Sequence, residues 1–300
     1  MTIWLHIRYW AEYCLLRAII GMIRLMPLDT AVKFSAYWWR KLAAKGRRHN
    51  RALSNLAIAF PEKSEEEREA IAVAMWENLG RVMAETMQMD RVLANPDRIE
   101  ISNPEILDRY QGKMGSAICV SMHSGNWELA MWPLAANGMK PAAVYRLVKN
   151  PLVDQYLRGQ RKELYPGGLF AKGKGANSIN AGQNTARQIG SYVRKGGRLG
   201  FLADQWDQSG VEVPFFGVPS KSPPFPAMLA RRIGTRLWIG RCVRIGTQSN
   251  FRVEMHEIRV PRTDDREADI KEIVTEIQST FEGWIREYPE QFMWSNRRWS

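Results

Sequence analysis

The chain has 300 residues, with 43 Lys and Arg against 31 Asp and Glu, giving a formal net charge of +12. Its 45% hydrophobic and 25% charged content is that of a folded globular protein and excludes a wholly disordered chain. The basic excess, with 12 Trp and 14 Met, points to a polyanionic partner: nucleic acid, an anionic membrane surface or an acidic protein.

Residues 1–28 are the most apolar stretch, carrying Trp4, Trp10 and the run Cys14-Leu-Leu16. Charges at Arg8, Glu12, Arg17 and Arg24 interrupt it, so no uncharged run approaches the ~18 residues of a spanning helix. No small-residue cleavage site follows it, which argues against a signal peptide. It reads either as a helix lying partly in a membrane interface or as a helix packed on the protein's own core.

Residues 29–60 read as helical, with six Lys or Arg and no acid between Arg40 and Arg51. That run is a solvated helix face or, beside the apolar N-terminus, a contact for anionic lipid. Trp4, Trp10, Trp38 and Trp39 then read as interfacial anchors. Ser64-Glu-Glu-Glu67 matches a capping box opening a helix to about Met89.

From Gly115 the pattern changes. Ala117–Val120, Ala142–Tyr145 and Leu199–Ala203 are short apolar runs that predict strands, with helices expected from Pro151 to about Glu163 and from Asn177 to Lys195. Pro226–Ile233 reads as helix, Arg236–Ile245 and Phe251–Val260 as strands, and Asp264–Glu287 as a last long helix. Strands alternating with helices predict an α/β sheet flanked by helices, preceded by a helical N-terminal third. No repeat or flexible linker divides the rest, so residues 29–300 are expected to form a single domain.

Cys14, Cys119 and Cys242 lie far apart in apolar runs, with no C-x-x-C or Cys/His cluster. The expectation is three buried free thiols in a reducing compartment, with no metal site and no disulfide framework. Gly168-Leu-Phe-Ala-Lys-Gly173-Lys174 fits G-x-x-x-x-G-K, but Gly175 stands where a P-loop needs Ser or Thr; the segment is read as a flexible basic loop or, alternatively, as a contact for a phosphate-bearing substrate.

His123-Ser-Gly-Asn-Trp-Glu128 is the sharpest candidate site. A histidine at the C-terminal end of a strand lies where open α/β sheets collect ligands. Gly125 allows a close turn, and N–H groups beside Gly125 and Asn126 are candidates to receive an oxyanion. Asp204, followed by Gln205, ends another strand; if the two strands are neighbours its carboxylate reaches His123 and fixes the imidazole tautomer. Arg146, with Lys149 just beyond, ends the second strand as an anion or carboxylate partner. The bland alternatives are a hydrogen-bonded turn histidine, a glutamate placed by the helix dipole, a solvated aspartate and a surface ion pair.

These residues, taken with others in the same order, resemble the H-x4-E/D core of the bacterial lipid A biosynthesis late acyltransferases, the lauroyl and myristoyl transferases. The matching segments are Asn55-Leu-Ala-Ile-Ala-Phe-Pro61, Tyr145-Arg-Leu-Val-Lys-Asn-Pro151, Leu202-Ala-Asp-Gln205 and Val213-Pro-Phe-Phe-Gly217. Tyr288-Pro-Glu-Gln-Phe-Met-Trp294 and Arg297-Arg298-Trp299 complete them. The resemblance implies a glycerolipid acyltransferase-like fold with an N-terminal anchor on the cytoplasmic face of the inner membrane. It also implies acyl transfer from an acyl carrier protein thioester to a hydroxyl of an anionic glycolipid, with His123, Glu128 and Asp204 catalytic. Arg146, Gly125, Asn126, Lys149 and Gln205 then fall to substrate binding, and neither metal nor other cofactor is needed. Which carboxylate orients His123 and which holds Arg146 is left open.

Two positions depart from that pattern. Asn296 stands where the family commonly has histidine, and Ser222-Pro-Pro-Phe-Pro226 where relatives often show Thr and a small residue. Both bear on the acceptor, so a lysophospholipid, an aminolipid or a phosphatidylinositol mannoside stands beside lipid A precursor, and coenzyme A beside the carrier protein. A nucleic-acid binder is disfavoured because no helix-turn-helix, zinc-finger or RNP-type motif is present. A non-catalytic membrane scaffold is the remaining class.

Overall fold

The computed structural model describes residues 3–108, 115–172 and 181–299, with the side chains of 181–183 excepted. Five helices lead: α1 (Ile3–Leu25), α2 (Leu28–Ala43), α3 (Arg47–Ala59), α4 (Glu65–Met87) and α5 (Met89–Leu93). There follow β1 (Ile99–Ile101), α6 (Glu105–Asp108), β2 (Ala117–Ser121), α7 (Trp132–Ala136), β3 (Ala142–Arg146), α8 (Pro151–Gln160) and β4 (Gly168–Lys172). The last part comprises α9 (Ala181–Arg194), β5 (Arg198–Leu202), β6 (Val211–Phe215), β7 (Val218–Ser222), α10 (Phe225–Ile233), β8 (Arg236–Arg244), β9 (Phe251–Ile258) and α11 (Arg266–Glu287).

Seven strands form one sheet in the order β1-β9-β8-β2-β5-β3-β4, parallel at each pairing except β8 with β9. Alternation along β2 splits its side chains between two cores. Ile118 and Val120 join Leu56, Met75, Ile273 and Phe281, while Ala117 lies with Leu129, Leu134 and Met139. The α/β sheet with flanking helices follows the sequence expectation.

Local chemistry fixes the element ends. Ser64 accepts from the Glu67 N–H at 3.2 Å while the Glu67 carboxylate accepts from the Ser64 N–H at 2.7 Å, the reciprocal box expected of that motif. The Asn150 side chain accepts from Leu152 and Val153 to open α8, with Pro151 in its first turn. Helices α2 and α4 touch at Gly80, where a Cβ would stand 2.8 Å from both the Ser35 carbonyl and the Trp39 Cβ.

Several expectations are corrected. The stretch 29–60 is two helices, broken at Gly46. Gly168–Lys172 pairs in register with β3 rather than forming a loop; Gly173, Lys174 and the predicted helix start at Asn177 lie outside the described residues. The hairpin β6–β7 was not anticipated. Cys14 is exposed and Cys119 half-buried, leaving Cys242 as the one fully buried thiol. Trp39 stacks on Trp76 at 6.3 Å and packs on the main core, so it is not a surface anchor.

No described helix is long and apolar enough to cross a membrane. Helix α1 nonetheless buries only Ile20, and Ile3, Trp4, Ile7, Trp10, Leu15, Met22 and Leu25 are exposed. Its ties to the body are largely polar: Arg24 grips Asp90 at 2.7 Å through both terminal nitrogens, and Asn150 donates to the Tyr9 carbonyl and to Glu12. Phe34, Tyr37, Trp38 and Leu42 of α2 are exposed too, beside the basic residues from Arg40 to Arg51.

Candidate active site

Strand register assembles the site. β2 and β5 are parallel neighbours with Ser121 opposite Leu202, and the Ala203 N–H continues the ladder onto the Ser121 carbonyl at 2.9 Å. Two residues beyond that pair on each strand, His123 and Asp204 leave the sheet side by side. His123 Nδ1 lies 2.8 and 3.1 Å from the two Asp204 carboxylate oxygens. A carboxylate only accepts, so Nδ1 carries the proton and Nε2 keeps its lone pair. Burial alone would depress the His123 pKa, but the charge and hydrogen bond of Asp204, with a contribution from Glu128, overcome it and raise the pKa above the ordinary value.

Glu128, in the 3-10 turn Trp127–Met131, does not orient the histidine. Its carboxylate is buried and held by both prongs of Arg161, the residue that ends α8, with Arg161 Nε at 2.8 Å. Coulombic attraction to Glu128 outweighs burial and raises the Arg161 pKa, so the guanidinium stays charged. Tyr165 adds its hydroxyl to the Glu128 carbonyl, and burial pushes the pKa of that phenol up, beyond any role as a proton donor near neutrality. Sequence reading missed Arg161: nothing in the spacing of α8 marks it, and Arg146 had been offered as the carboxylate's partner.

The turn between β2 and this 3-10 segment is fixed from below. Gly125 adopts φ +56°, and a Cβ there would overlap the Cys242 carbonyl oxygen of β8. Its N–H donates to the Gln291 carbonyl at 3.1 Å, and the Ser124 N–H donates to the Met122 carbonyl at 2.8 Å. The Gly125 and Ser124 N–H groups are thus spent within the fold. Asn126 is fully buried, and its side-chain amide donates to Glu85 at 2.9 Å. Glu85 in turn takes both prongs of the buried Arg244, which also reaches Asn78, and Asn78 donates to the Gly125 carbonyl.

The C-terminal segment closes over the same turn. The Met293 N–H donates to the His123 carbonyl at 2.9 Å, and Ser124 bridges Phe292. Asn55 of α3 donates to the Trp294 and Asn296 carbonyls. Trp127 stands against the His123 ring, 5.4 Å between centroids. Arg146, Lys149 and Gln205 are exposed, and among the described residues none forms an ion pair with Glu128 or Asp204. Arg146 is carried away from the pair because β3 meets β5 only at Ala142 and Ala143 and then runs beside β4, opposite Lys172. No group of three or more potential metal ligands occurs among the described residues.

A histidine held by a carboxylate at a sheet edge, with its second nitrogen directed away from that carboxylate, can take a proton from a hydroxyl nucleophile. The family model for bacterial lipid A biosynthesis acyltransferases matches residues 2–300. The chain is 26% identical over 305 aligned residues to the lipid A biosynthesis myristoyltransferase of Escherichia coli strain K12, covering 96% of this chain and 86% of that protein. It is 25% identical over 263 residues to the lipid A biosynthesis palmitoleoyltransferase of the same strain, with coverage of 84% and 78%. A phosphatidylinositol mannoside acyltransferase of Mycobacterium tuberculosis strain H37Rv is 25% identical over 215 residues, covering 71% and 61%. With nearly its whole length matched, the chain belongs to the bacterial lipid A biosynthesis acyltransferase family and is an acyltransferase.

Proposed function

We propose that the protein transfers a fatty acyl chain from an acyl carrier protein thioester to a hydroxyl of a lipid A precursor, at the cytoplasmic face of the inner membrane. The observation that carries this reading is the His123–Asp204 pair at the carboxyl ends of two adjacent parallel strands. His123 Nε2 takes the proton of the acceptor hydroxyl as its oxygen bonds to the thioester carbonyl carbon. The tetrahedral oxyanion collapses, the C–S bond breaks, and Nε2 returns the proton to the departing thiolate. An ester and a free thiol result, with no covalent enzyme intermediate and no cofactor in the proton transfer. Asp204 fixes the reactive tautomer and stabilises the imidazolium. Glu128 acts indirectly, holding Arg161 and adding negative charge near His123.

The exposed Arg146 and Lys149, and Gln205 across the sheet edge, are offered to the phosphate-bearing acceptor. The exposed apolar residues of α1 and α2, with the basic run Arg40–Arg51, are offered to the anionic membrane surface, and basic surface also suits an acidic carrier protein. A phosphatidylinositol mannoside-type acceptor is the second reading, favoured by the mycobacterial relative and by the departures at Asn296 and Ser222. Purified protein incubated with acyl carrier thioester and a panel of acceptors is expected to acylate a lipid A precursor, read by mass spectrometry, and to lose that activity as His123→Ala. Acylation of another acceptor alone replaces the substrate; full activity of His123→Ala removes the histidine.

A further inference from the structure

Asp204 and Arg298 are both deeply buried, 1% and 2% exposed, and among the described residues Arg298 has no ion-pair partner and Asp204 none but His123. Among the described residues, Asp204 is hydrogen-bonded through its carboxylate to His123 alone. Arg298 meets only neutral acceptors: Ser220 Oγ at 2.8 Å, Ser222 Oγ at 3.0 Å and Gln278 Oε1 at 2.8 Å. Among the described residues its Nε has no acceptor, and its Cζ lies 4.0 Å from the centre of the Phe215 ring. A guanidinium is built to fork onto a carboxylate, and burying one among hydroxyls and an amide is costly unless an anion stands near. Burial lowers its pKa to about 10, and the charge that opposes this is Asp204. A direct route joins them: Gln278, which accepts from Arg298, donates to the carbonyl of Ala203, the residue before Asp204, at 3.0 Å.

We propose that Arg298 is a positioning residue for acyl transfer: its buried charge, tied through Gln278 to the main chain at Ala203 beside Asp204, holds down the proton affinity of His123. The proposal rests on reading His123 as the general base. The other charges around the pair are accounted for. Glu128 faces His123 from the 3-10 turn, and Arg161 at the end of α8 neutralises it. Tyr165 is an unionised phenol against both. The β6–β7 hairpin and α11 present the neutral Ser220, Ser222 and Gln278, while Arg297 is exposed and stacked on Trp206. Among the described residues, Arg298 is thus the cation set against Asp204. A cation there favours neutral histidine beside carboxylate over imidazolium beside carboxylate, so its removal makes the pair hold its proton to higher pH.

The test is the pH profile of kcat/KM for Arg298→Gln and Arg298→Lys, with His123 titrated by NMR in the absence of substrate. In Arg298→Gln both the acid limb and the imidazole midpoint should move up by about one pH unit, roughly tenfold in proton affinity. Arg298→Lys, keeping the charge, should hold both near the wild-type position. In Arg298→Ala, added methylguanidinium should draw both back, and this variant serves if the glutamine form does not fold. An imidazole midpoint unmoved in Arg298→Gln, with activity lower at every pH, overturns the proposal and leaves Arg298 a packing residue. A midpoint that shifts while the kinetic limb stays still supports the Arg298 coupling and overturns the general-base reading instead.

Discussion

Asp204→Asn removes one charge at nearly constant shape and so isolates what the carboxylate does for His123. In the wild-type site two effects oppose each other on the imidazole: burial depresses its pKa, and Asp204, through charge and hydrogen bond, more than restores it. Without the carboxylate burial dominates, and the midpoint should fall below the ordinary histidine value of ~6.5. A weaker base that has also lost its imidazolium stabiliser forfeits most of the general-base contribution, typically about 10²- to 10⁴-fold. That corresponds to about 3 to 5.5 kcal/mol of barrier, at about 1.4 kcal/mol per tenfold. The assay is thiol release from acyl carrier thioester, with lipid acceptor in micelles, followed across the pH range of imidazole titration. The expected signature has two parts, a lower plateau and an acid limb displaced to lower pH, opposite in direction to the shift expected of Arg298→Gln. Circular dichroism separates this from unfolding. An Asp204→Asn enzyme within a few-fold of wild type, or one whose acid limb does not move, would refute the tautomer and charge argument.

Glu128→Gln should leave the Arg161 guanidinium half-satisfied and cost about 3 kcal/mol in urea unfolding, the lower end for a broken buried pair because Arg161 keeps some access to water; a double-mutant cycle with Arg161→Met should show strong coupling. Gly125→Ala places a Cβ on the Cys242 carbonyl at a positive φ, and a loss of about 3 kcal/mol or more is expected with collapse of activity. The raised His123 pKa contributes stability that is full below the unfolded value near 6.5 and is lost as pH rises through the folded value. On the proposed general-base reading activity runs the other way over the same window, because only a neutral imidazole accepts a proton, so urea midpoints of wild type and His123→Gln should converge as the rate climbs. Replacing exposed Trp4, Ile7 and Trp10 together by Ala should weaken sedimentation with anionic vesicles by at least about tenfold, at about 25 cal/mol per Å² of apolar surface withdrawn from lipid; unchanged binding would remove α1 from the membrane contact.

The strands that deliver His123 and Asp204 were legible because each is a short apolar run ending in polar residues, and the structure keeps both runs as strands. Their adjacency was not legible. β2 and β5 are separated in sequence by α7, β3, α8, β4 and α9, and parallel pairing at that distance leaves no local mark. The hairpin β6–β7 was legible and passed over: Val211, Val213 and Phe215 alternate with Glu212 and Pro214, and Phe216-Gly217 turns at positive φ. Its prolines, Pro214 and Pro219, oppose each other in register. Arg161 carries no pattern at all, and Arg298, although it lies in the matching segment Arg297-Arg298-Trp299, shows nothing there of its burial, since a guanidinium aimed at a buried group looks in sequence like any surface arginine.

What the sequence presented as scattered motifs is one mechanical unit. Asn55 holds the carbonyls of Trp294 and Asn296, Met293 holds the carbonyl of His123, and Gln291 accepts from Gly125. Arg298 reaches the strand end that carries Asp204 through Gln278. Beneath them, Glu85 and Arg244 form a buried pair that holds Asn126 and, through Asn78, the Gly125 carbonyl. The His123 turn is therefore gripped from three directions: by the C-terminal strap, by α4 and by β8. General-base catalysis needs the imidazole held within a fraction of an ångström of its productive place. In this fold that precision comes from segments far from His123 in the chain, so a change at Asn55, Gln291 or Glu85 should reach the reaction through the position of one ring, without touching substrate.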